Sequence, residues 1–213
     1  MLEPIQTFLA QLEPTECCQH GGLWAVRLAL HPPPTPVLAV SSLGAAVKAG
    51  VATLSEVGNG EVGRILVRNR GGTLLFGMAG ELVLGGRQDR VLNSSVLIAP
   101  GAETAVHVSC VEPRRWCQMA RIQSFQPAQA SASTTVRSAV HQTMVLNLHQ
   151  TGLHSTDQRR VWERVSTTLR RTGAWSPDDT GTLAASMHRH GSRLDEYARA
   201  CTPNATQVGL ALF

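Results

Sequence analysis

One stretch of the chain, residues 80–116, concentrates the side chains that could bind a polar ligand. Glycine lets backbone N–H groups approach a ligand closely, and arginine holds a carboxylate or phosphate with two donors. Glycines, guanidinium groups and amides of this kind recur in the stretch. We take as candidate ligand-binding residues Gly85, Gly86, Arg87, Gln88, Arg90, Asn93 and Arg115. Their chemistry predicts a site for an anionic ligand.

Two carboxylates in the same stretch could support acid–base chemistry. Glu81 precedes the glycine-rich segment, and Glu112 follows the last β-like run. General acid–base catalysis needs such a group within hydrogen-bonding reach of the reacting atom. Glu81 and Glu112 are therefore the candidate catalytic residues of a hydrolase acting on a glycosidic or phosphate bond. The alternative is structural: a glycine turn between strands, and an ion pair at Glu112.

Cysteine and histidine spacing predicts no metal site. Cys17, Cys18 and His20 offer ligands, but no second CxxC or HxxxH half accompanies them. We expect Cys110 to be a buried core thiol, because no neighbour with a fixed geometry would activate it as a nucleophile. The sequence identifies no cofactor.

The amino-acid composition limits the classes of protein to which this chain can belong. Charged residues make up 16% of the 213 residues, below the usual quarter, which argues against a disordered chain. The formal net charge of +4 is modest for this length. The arginines are spread along the chain, which argues against nucleic acid as the partner. No signal-like start and no apolar run of about 20 residues is found, so we expect a cytoplasmic protein without a membrane segment. A protein partner or a second copy of the chain remains open.

Hydrophobic patterns predict strands in the N-terminal two-thirds. The predicted strands are Leu23–Leu30, Val51–Val57, Val62–Asn69, Thr73–Phe76, Leu92–Ala99 and Thr104–Val111. Glycine-containing segments between them predict three hairpins, at residues 58–60, 70–72 and 100–101. A helix over residues 2–12 precedes them, and a polyproline-like crossing follows at residues 31–36. The small, polar segment 126–135 favours a loop.

Helical spacing dominates the C-terminal third. Apolar residues recur at helical intervals from Val136 to Leu148 and from Val161 to Leu169. Ser155 with Gln158 predicts a capping box for the second helix, and residues 176–179 are typical of a helix start. The last residues, 207–213, predict a strand.

These elements predict an α+β fold, with a mostly antiparallel, sandwich-like sheet packed against a C-terminal helical layer. An open barrel is the alternative arrangement of the sheet. We expect a single domain over residues 1–213. It divides into an N-terminal helix, strand and Pro-rich crossing (1–34), a β-rich core (35–125), a helical layer (133–202) and a terminal strand (205–213).

The chain also resembles a poorly characterised bacterial family, the ARG and rhodanese-phosphatase-superfamily-associated protein domain family. Arg114 departs from the resemblance, since a glycine is expected before the Arg-Trp pair. The residues that carry the resemblance are Gly80-Glu81, Gly85 to Asn93, Ser95-Val96-Leu97, Val108 to Glu112, Arg115-Trp116, Val161-Trp162 and Gln207-Val208-Gly209.

The resemblance implies a link to ADP-ribosylglycohydrolases, and so to the metabolism of ADP-ribose or NAD derivatives. A pyrophosphate ligand suits a glycine turn surrounded by arginines. Three functions stay open at this point: binding of an anionic, nucleotide-like ligand, hydrolysis at the same site, and a structural or partner-binding role with no small ligand.

Overall fold

The computed structural model describes residues 3–32, 38–115, 124–204 and 206–213. Its contacts form two compact units, Met1–Val37 with His190–Phe213, and Leu38–Arg189. Most of the predicted polyproline-like crossing, and all of Trp116, lie outside the described residues. The expectation of a single domain stays a prediction.

In chain order the elements are α1 (Glu3–Ala10), β1 (Leu12–His20), β2 (Leu23–Leu30), β3 (Val40–Ser42), α2 (Leu43–Lys48), β4 (Ala52–Glu56), β5 (Arg64–Asn69), β6 (Leu74–Gly77), β7 (Glu81–Gly85), β8 (Arg90–Leu92), β9 (Val96–Ile98), β10 (Glu103–Cys110), β11 (Ser124–Ser131), α3 (Thr134–Thr151), α4 (Gln158–Arg171), α5 (Ala184–Arg189), α6 (Gly191–Ala200) and β12 (Gln207–Leu212).

The unit that combines both ends of the chain is built on a three-stranded antiparallel sheet of order β1-β2-β12. The predictions of α1, β2 and the terminal strand are confirmed. Strand β1 was not predicted, because its sequence, LEPTECCQH, is mostly polar and lacks an apolar alternation. It forms because its backbone pairs with the apolar β2, for example Cys17 with Val26.

The larger unit contains a closed, antiparallel barrel of six strands in the order β10-β5-β4-β11-β7-β8. Its apolar interior side chains include Leu54, Ile65, Val83, Val108 and Phe125. The α+β class is confirmed. The sheet closes into a barrel, whereas a sandwich-like arrangement or an open barrel was expected. Closure depends on β11, whose segment was expected to be mostly loop and which instead pairs with both β4 and β7. Pairing with two neighbours outweighs the weak strand propensity of its Ser, Ala and Gln residues.

A second small sheet, of order β3-β6-β9, shows that two predicted hairpins are wrong. Strand β5 lies in the barrel and β6 in the small sheet, so residues 70–72 connect two sheets; residues 100–101 likewise connect β9 to β10. The fully buried Asn69 holds this crossing: its amide donates to the carbonyls of Thr73, Ile98 and Ala99. The hairpin between β4 and β5 is confirmed.

Helices α3 and α4 pack on the outer face of the barrel, as the predicted helical layer requires. Val136 and Val165 from the helices share a core with Leu82 and Val91 of the hairpin β7–β8. The predicted helix start at residues 176–179 is wrong, since α5 begins at Ala184.

The cap of α4 is Asp157 and not the predicted Ser155. Its Oδ1 atom accepts hydrogen bonds from the N–H groups of Arg159 and Arg160, at 3.1 and 3.2 Å. The capping-box prediction placed the Gln158 side chain at the helix start. Instead, this side chain makes two hydrogen bonds with the backbone of Cys110. The residue therefore connects α4 to the end of β10.

We predict that Asp157→Ala lowers the free energy of unfolding by about 1 kcal/mol, because two N–H groups lose their acceptor. Chemical denaturation measures this change. Ser155→Ala is the control and should shift the same quantity by less than about 0.5 kcal/mol, since Ser155 caps no helix. A larger effect for Ser155→Ala than for Asp157→Ala would contradict the assignment.

Candidate functional site

The hairpin β7–β8 divides the candidate residues between its two ends. Val83 pairs with Arg90, and Leu82 with Val91. The hairpin tip is residues 85–89, and the hairpin base is Gly80 and Glu81 together with Asn93. Gly85, Gly86, Arg87 and Gln88 lie in the tip, and Arg90 follows it at the start of β8. Glu112 and Arg115 contact the tip as well. Glu81 and Asn93 lie at the base.

The backbone of the hairpin tip is already occupied by the protein's own carboxylates. The N–H of Gly85 donates to Asp89 Oδ1 at 2.9 Å, and that of Arg87 to Glu56 Oε1 at 2.8 Å. The N–H of Asp89 donates to Glu112 Oε2 at 3.0 Å. Backbone N–H groups of a turn can together bind an anion. Here three carboxylates of the chain take the place that an external anion would occupy.

The two glycines of the tip are explained by close packing. Gly85 and Gly86 have φ angles of +116° and +51°. A Cβ atom on Gly85 would lie 2.7 Å from the carbonyl oxygen of Ser124, and one on Gly86 would lie 2.6 Å from Glu56 Oε1. Glycine is therefore needed for the tip to turn and to approach β11.

Arg115 is the cation of a buried ion-pair network at the tip. Its Nη2 atom lies 2.7 Å from Glu112 Oε2 and 3.2 Å from Asp89 Oδ1, and its Nη1 donates to the carbonyl of Gly86. Burial raises the pKa of Asp89, and hydrogen bonds, chiefly from Thr182, offset part of that rise. The network gives Arg115 a structural role.

Two threonine hydroxyls complete the network from the segment before α5. Thr180 Oγ1 donates to Glu112 Oε1, and Thr182 Oγ1 donates to Asp89 Oδ2, both at 2.5 Å. Because a buried carboxylate is stable only when its oxygens are hydrogen-bonded, these hydroxyls hold the segment onto the hairpin tip.

We predict that Thr180→Val lowers the free energy of unfolding by about 1–3 kcal/mol, because a buried carboxylate oxygen loses its donor without a change in side-chain volume. Thr167→Val is the matched control. Its hydroxyl donates only to the carbonyl of Glu163 on the exposed side of α4, and we expect little change. Equal effects of the two substitutions in urea denaturation would contradict the role of Thr180.

Arg90 differs from Arg115 in its partners. It is fully buried, and its Nη1 donates to Gln88 Oε1 at 3.1 Å. Among the described residues its Nε and Nη2 atoms have no hydrogen-bond partner. Cys110, which pairs with Arg90 across the strands, is buried as predicted, and burial raises the pKa of its thiol.

At the hairpin base, Asn93 and Glu81 have separate partners. Asn93 donates to the carbonyl of His154 at 2.8 Å and accepts from Ser109 Oγ at 2.7 Å. Glu81 Oε2 accepts from the N–H of Met78 at 3.2 Å. Burial raises the pKa of Glu81 above its ordinary value, which that hydrogen bond partly offsets.

Glu81 and Glu112 lie at opposite ends of the hairpin β7–β8. Glu112 accepts from the N–H of Asp89 at the tip, whereas Glu81 begins β7 at the base and accepts from the N–H of Met78. The two carboxylates therefore have separate surroundings.

The raised pKa of Glu81 gives a testable pH dependence. A group with a raised pKa in the folded state stabilises the fold below its unfolded value, here 4.5, and loses that contribution as the pH rises through the folded value. We predict that Glu81→Gln, which cannot ionise, gains stability relative to the parent as the pH increases from about 4 to 7. Unfolding free energies measured across this range test it, and a constant difference would contradict the prediction.

A cavity of about 410 Å³ opens beside the hairpin base. Asn93 and Gly80 line it together with the first turns of α3, which contribute Arg137 and His141. The described lining residues are Met78, Ala79, Gly80, Asn93, Thr134, Arg137, Ser138, Val140 and His141, and none of them is acidic. Its volume is within the range of small-molecule sites.

Gly80 brings Arg137 to this cavity. Its φ angle is +88°, and a Cβ atom there would lie 2.5 Å from Arg137 Cδ. The aliphatic part of Arg137 therefore packs over the glycine, and its Nη1 lies 3.5 Å from Ser131 Oγ. Sequence reasoning missed Arg137 and His141. Their spacing of four residues on a predicted helix places them on one face, but only the fold shows that this face meets Gly80.

Neither a metal-type cluster nor a membrane-spanning helix is found in the described part of the chain. Within residues 3–32, 38–115, 124–204 and 206–213, no group of three His, Cys, Asp or Glu side chains is arranged to hold a metal ion. In the same ranges, no helix combines the length and the hydropathy that crossing a bilayer requires.

Comparison with known proteins confirms the resemblance noted in the sequence. Residues 11–213 match the family model of the ARG and Rhodanese-Phosphatase-superfamily-associated Protein domain. No curated protein and no solved structure matches the chain.

Proposed function

The chain belongs to the ARG and Rhodanese-Phosphatase-superfamily-associated Protein domain family, and with this as the premise we propose that it binds an anionic, nucleotide-like ligand. The ligand site is the cavity at the hairpin base. The observation that carries the proposal is the pair Arg137 and His141, which line a cavity of about 410 Å³ without an acidic residue among its described lining.

The chemistry of this cavity suits a phosphate or diphosphate group. Arg137 offers a guanidinium fork, which matches phosphate oxygens in two-pronged hydrogen bonds. The exposed hydroxyls of Thr134 and Ser138 line the same space, and hydroxyls of this kind bind phosphate or ribose oxygens. In this cavity the negative charges of a diphosphate would contact the guanidinium of Arg137 and the neutral hydroxyl donors.

The family name directs the choice of ligand. It records association with ADP-ribosylglycohydrolases, so ADP-ribose and NAD derivatives are the first compounds to test. A family name records an association, and neither it nor the fold determines which nucleotide binds. We place the activity in a reducing cytoplasm, in keeping with the free thiols of Cys17, Cys18, Cys110 and Cys201.

The hairpin tip takes no part in the proposed ligand site. Its amides and Arg115 are bonded to Glu56, Asp89 and Glu112 within the protein. These contacts favour the structural alternative for that end of the hairpin.

We predict that ADP-ribose binding, measured by isothermal titration calorimetry, weakens by about 10- to 100-fold in Arg137→Gln, because a charge-assisted pair is lost. Arg164→Gln is the control. Arg164 is an exposed arginine of α4 that does not line the cavity, so the affinity should stay at the parental value. The total charge changes equally in both variants.

Either of two results would overturn the proposed site. One is the absence of binding heat from the parent with ADP-ribose, NAD, AMP and inorganic phosphate. The other is an equal weakening of binding in Arg137→Gln and Arg164→Gln, which would indicate attraction by net charge alone.

A hydrolytic activity at the same cavity is the second candidate, and Glu81 favours it. Its carboxyl accepts from the N–H of Met78, whose side chain lines the cavity, and its raised pKa is a property of proton donors. A substrate confirmed for the parent should be turned over at a much lower kcat by Glu81→Gln with the KM unchanged. Equal turnover would exclude Glu81 as the acid.

A further inference from the structure

The inner face of the barrel carries two charged side chains at the hairpin-tip end, the fully buried Arg90 and the partly buried Glu56. Strand positions alternate between the faces of a sheet. Leu92 of β8 and Leu54 of β4 belong to the interior core, so Arg90 and Glu56, each two residues away, face the interior as well. Strands β8 and β4 lie three positions apart in either direction around the six-stranded barrel. Arg90 and Glu56 therefore face each other from opposite walls.

Both side chains keep open hydrogen-bonding atoms. In the described part of the chain, Arg90 Nε and Nη2 and Glu56 Oε2 are buried without a hydrogen-bond partner. No ion pair between the two side chains is found there: Glu56 Oε1 accepts from the N–H of Arg87, and Arg90 Nη1 donates to Gln88. A buried charge without a partner destabilises the folded state. An occupant between the walls would remove that cost.

The unpartnered atoms of Arg90 and Glu56 determine which hydrogen-bonding groups a bound ion must have. The Nε and Nη2 atoms form one edge of the guanidinium, which binds two oxygens of a carboxylate or phosphate side by side. The open Glu56 Oε2 accepts and so requires a hydrogen. Apolar side chains such as Leu54, Val83 and Phe125 fill most of the barrel interior, and even a barrel of eight strands is only just wide enough for side chains or one small ligand. An occupant of this narrower barrel must therefore be a small ion. A nucleotide is too large.

We propose that the barrel encloses a small oxyanion that carries a proton, of the class of hydrogen phosphate or bicarbonate, between Arg90 and Glu56. Two of its oxygens accept from Arg90, and its hydroxyl donates to Glu56 Oε2. Sulfate fits less well, because it has no hydrogen at neutral pH and its oxygens would face the Glu56 carboxylate. The site is separate from the cavity at Arg137 and does not depend on the function proposed there.

The first experiment measures what the folded protein retains. The protein is equilibrated with inorganic phosphate or with isotope-labelled bicarbonate, desalted and denatured, and the released anion is quantified. We expect stoichiometric release of one of the two anions from the parent and none from Arg90→Met. A parent that releases neither anion, and whose crystal structure shows only water beside Arg90, would overturn the proposal.

The second experiment tests the role of the proton and does not depend on whether Arg90→Met folds. Glu56→Gln keeps an oxygen for the N–H of Arg87 and gains an N–H that can donate to a fully ionised oxygen. Denaturant midpoints are compared in phosphate, bicarbonate and sulfate at matched ionic strength. The parent should be stabilised by phosphate or bicarbonate with saturation, and Glu56→Gln should be stabilised by sulfate as well.

Non-specific salt effects are distinguished from ion binding by whether the stabilisation saturates as the salt concentration rises. Excluded salts such as sulfate stabilise proteins generally and without saturation, whereas a bound ion gives a saturating gain. The proposal is wrong if the parent and Glu56→Gln respond identically to all three anions. Sulfate preferred by the parent would likewise contradict it.

Discussion

The buried carboxylate of Glu112 is the interaction on which the larger unit depends. It receives the N–H of Asp89, the hydroxyl of Thr180 and the guanidinium of Arg115. These partners come from the hairpin tip, from the segment before α5 and from the chain just after β10. A carboxylate removed from water is stable only with such a set of donors. Glu112 therefore fixes three separate segments at one end of the barrel.

The polar residues next to the hairpin tip differ in how many of their hydrogen-bonding atoms have partners. Gln88 donates to the carbonyl of Glu112 and holds Arg90 with its own oxygen. Arg115 is engaged by the network, whereas among the described residues two nitrogens of Arg90 have no hydrogen-bond partner. The same residue type thus has a structural role in one position and an open binding edge in another. Hydrogen-bond satisfaction, which sequence does not show, separates the two.

The sequence predicts local structure where apolar periodicity is strong. Helices α3 and α4 and strands β2, β4 and β5 were predicted from it. Each of these elements buries one face, so its apolar residues repeat at the interval of a helix or of a strand. Strand β11 could not be predicted, since its Ser, Ala and Gln residues pair only because β4 and β7 lie on either side. The crossing at Asn69 depends on carbonyls some 30 residues away, and no local pattern records them.

The candidate site was predicted only in part for the same reason. The stretch of residues 80–116 does hold the polar residues of the barrel end, yet the cavity needs Arg137 and His141 from a helix that starts about 40 residues after β8. Helical spacing puts these two side chains on one face. Which surface that face meets is decided by the packing of Val136 and Val140 on Leu82 and Val91, a tertiary contact.

The two proposed sites differ in access, and this difference assigns them different roles. Arg137 and His141 are exposed, so a ligand in the cavity exchanges with solvent without any unfolding. Arg90 is fully buried, so an ion beside it leaves only when the barrel opens, and local opening of a closed core is rare. An ion held in this way stabilises the fold, because it binds the folded state and not the unfolded one. Recognition of a metabolite, which requires exchange, belongs to the cavity.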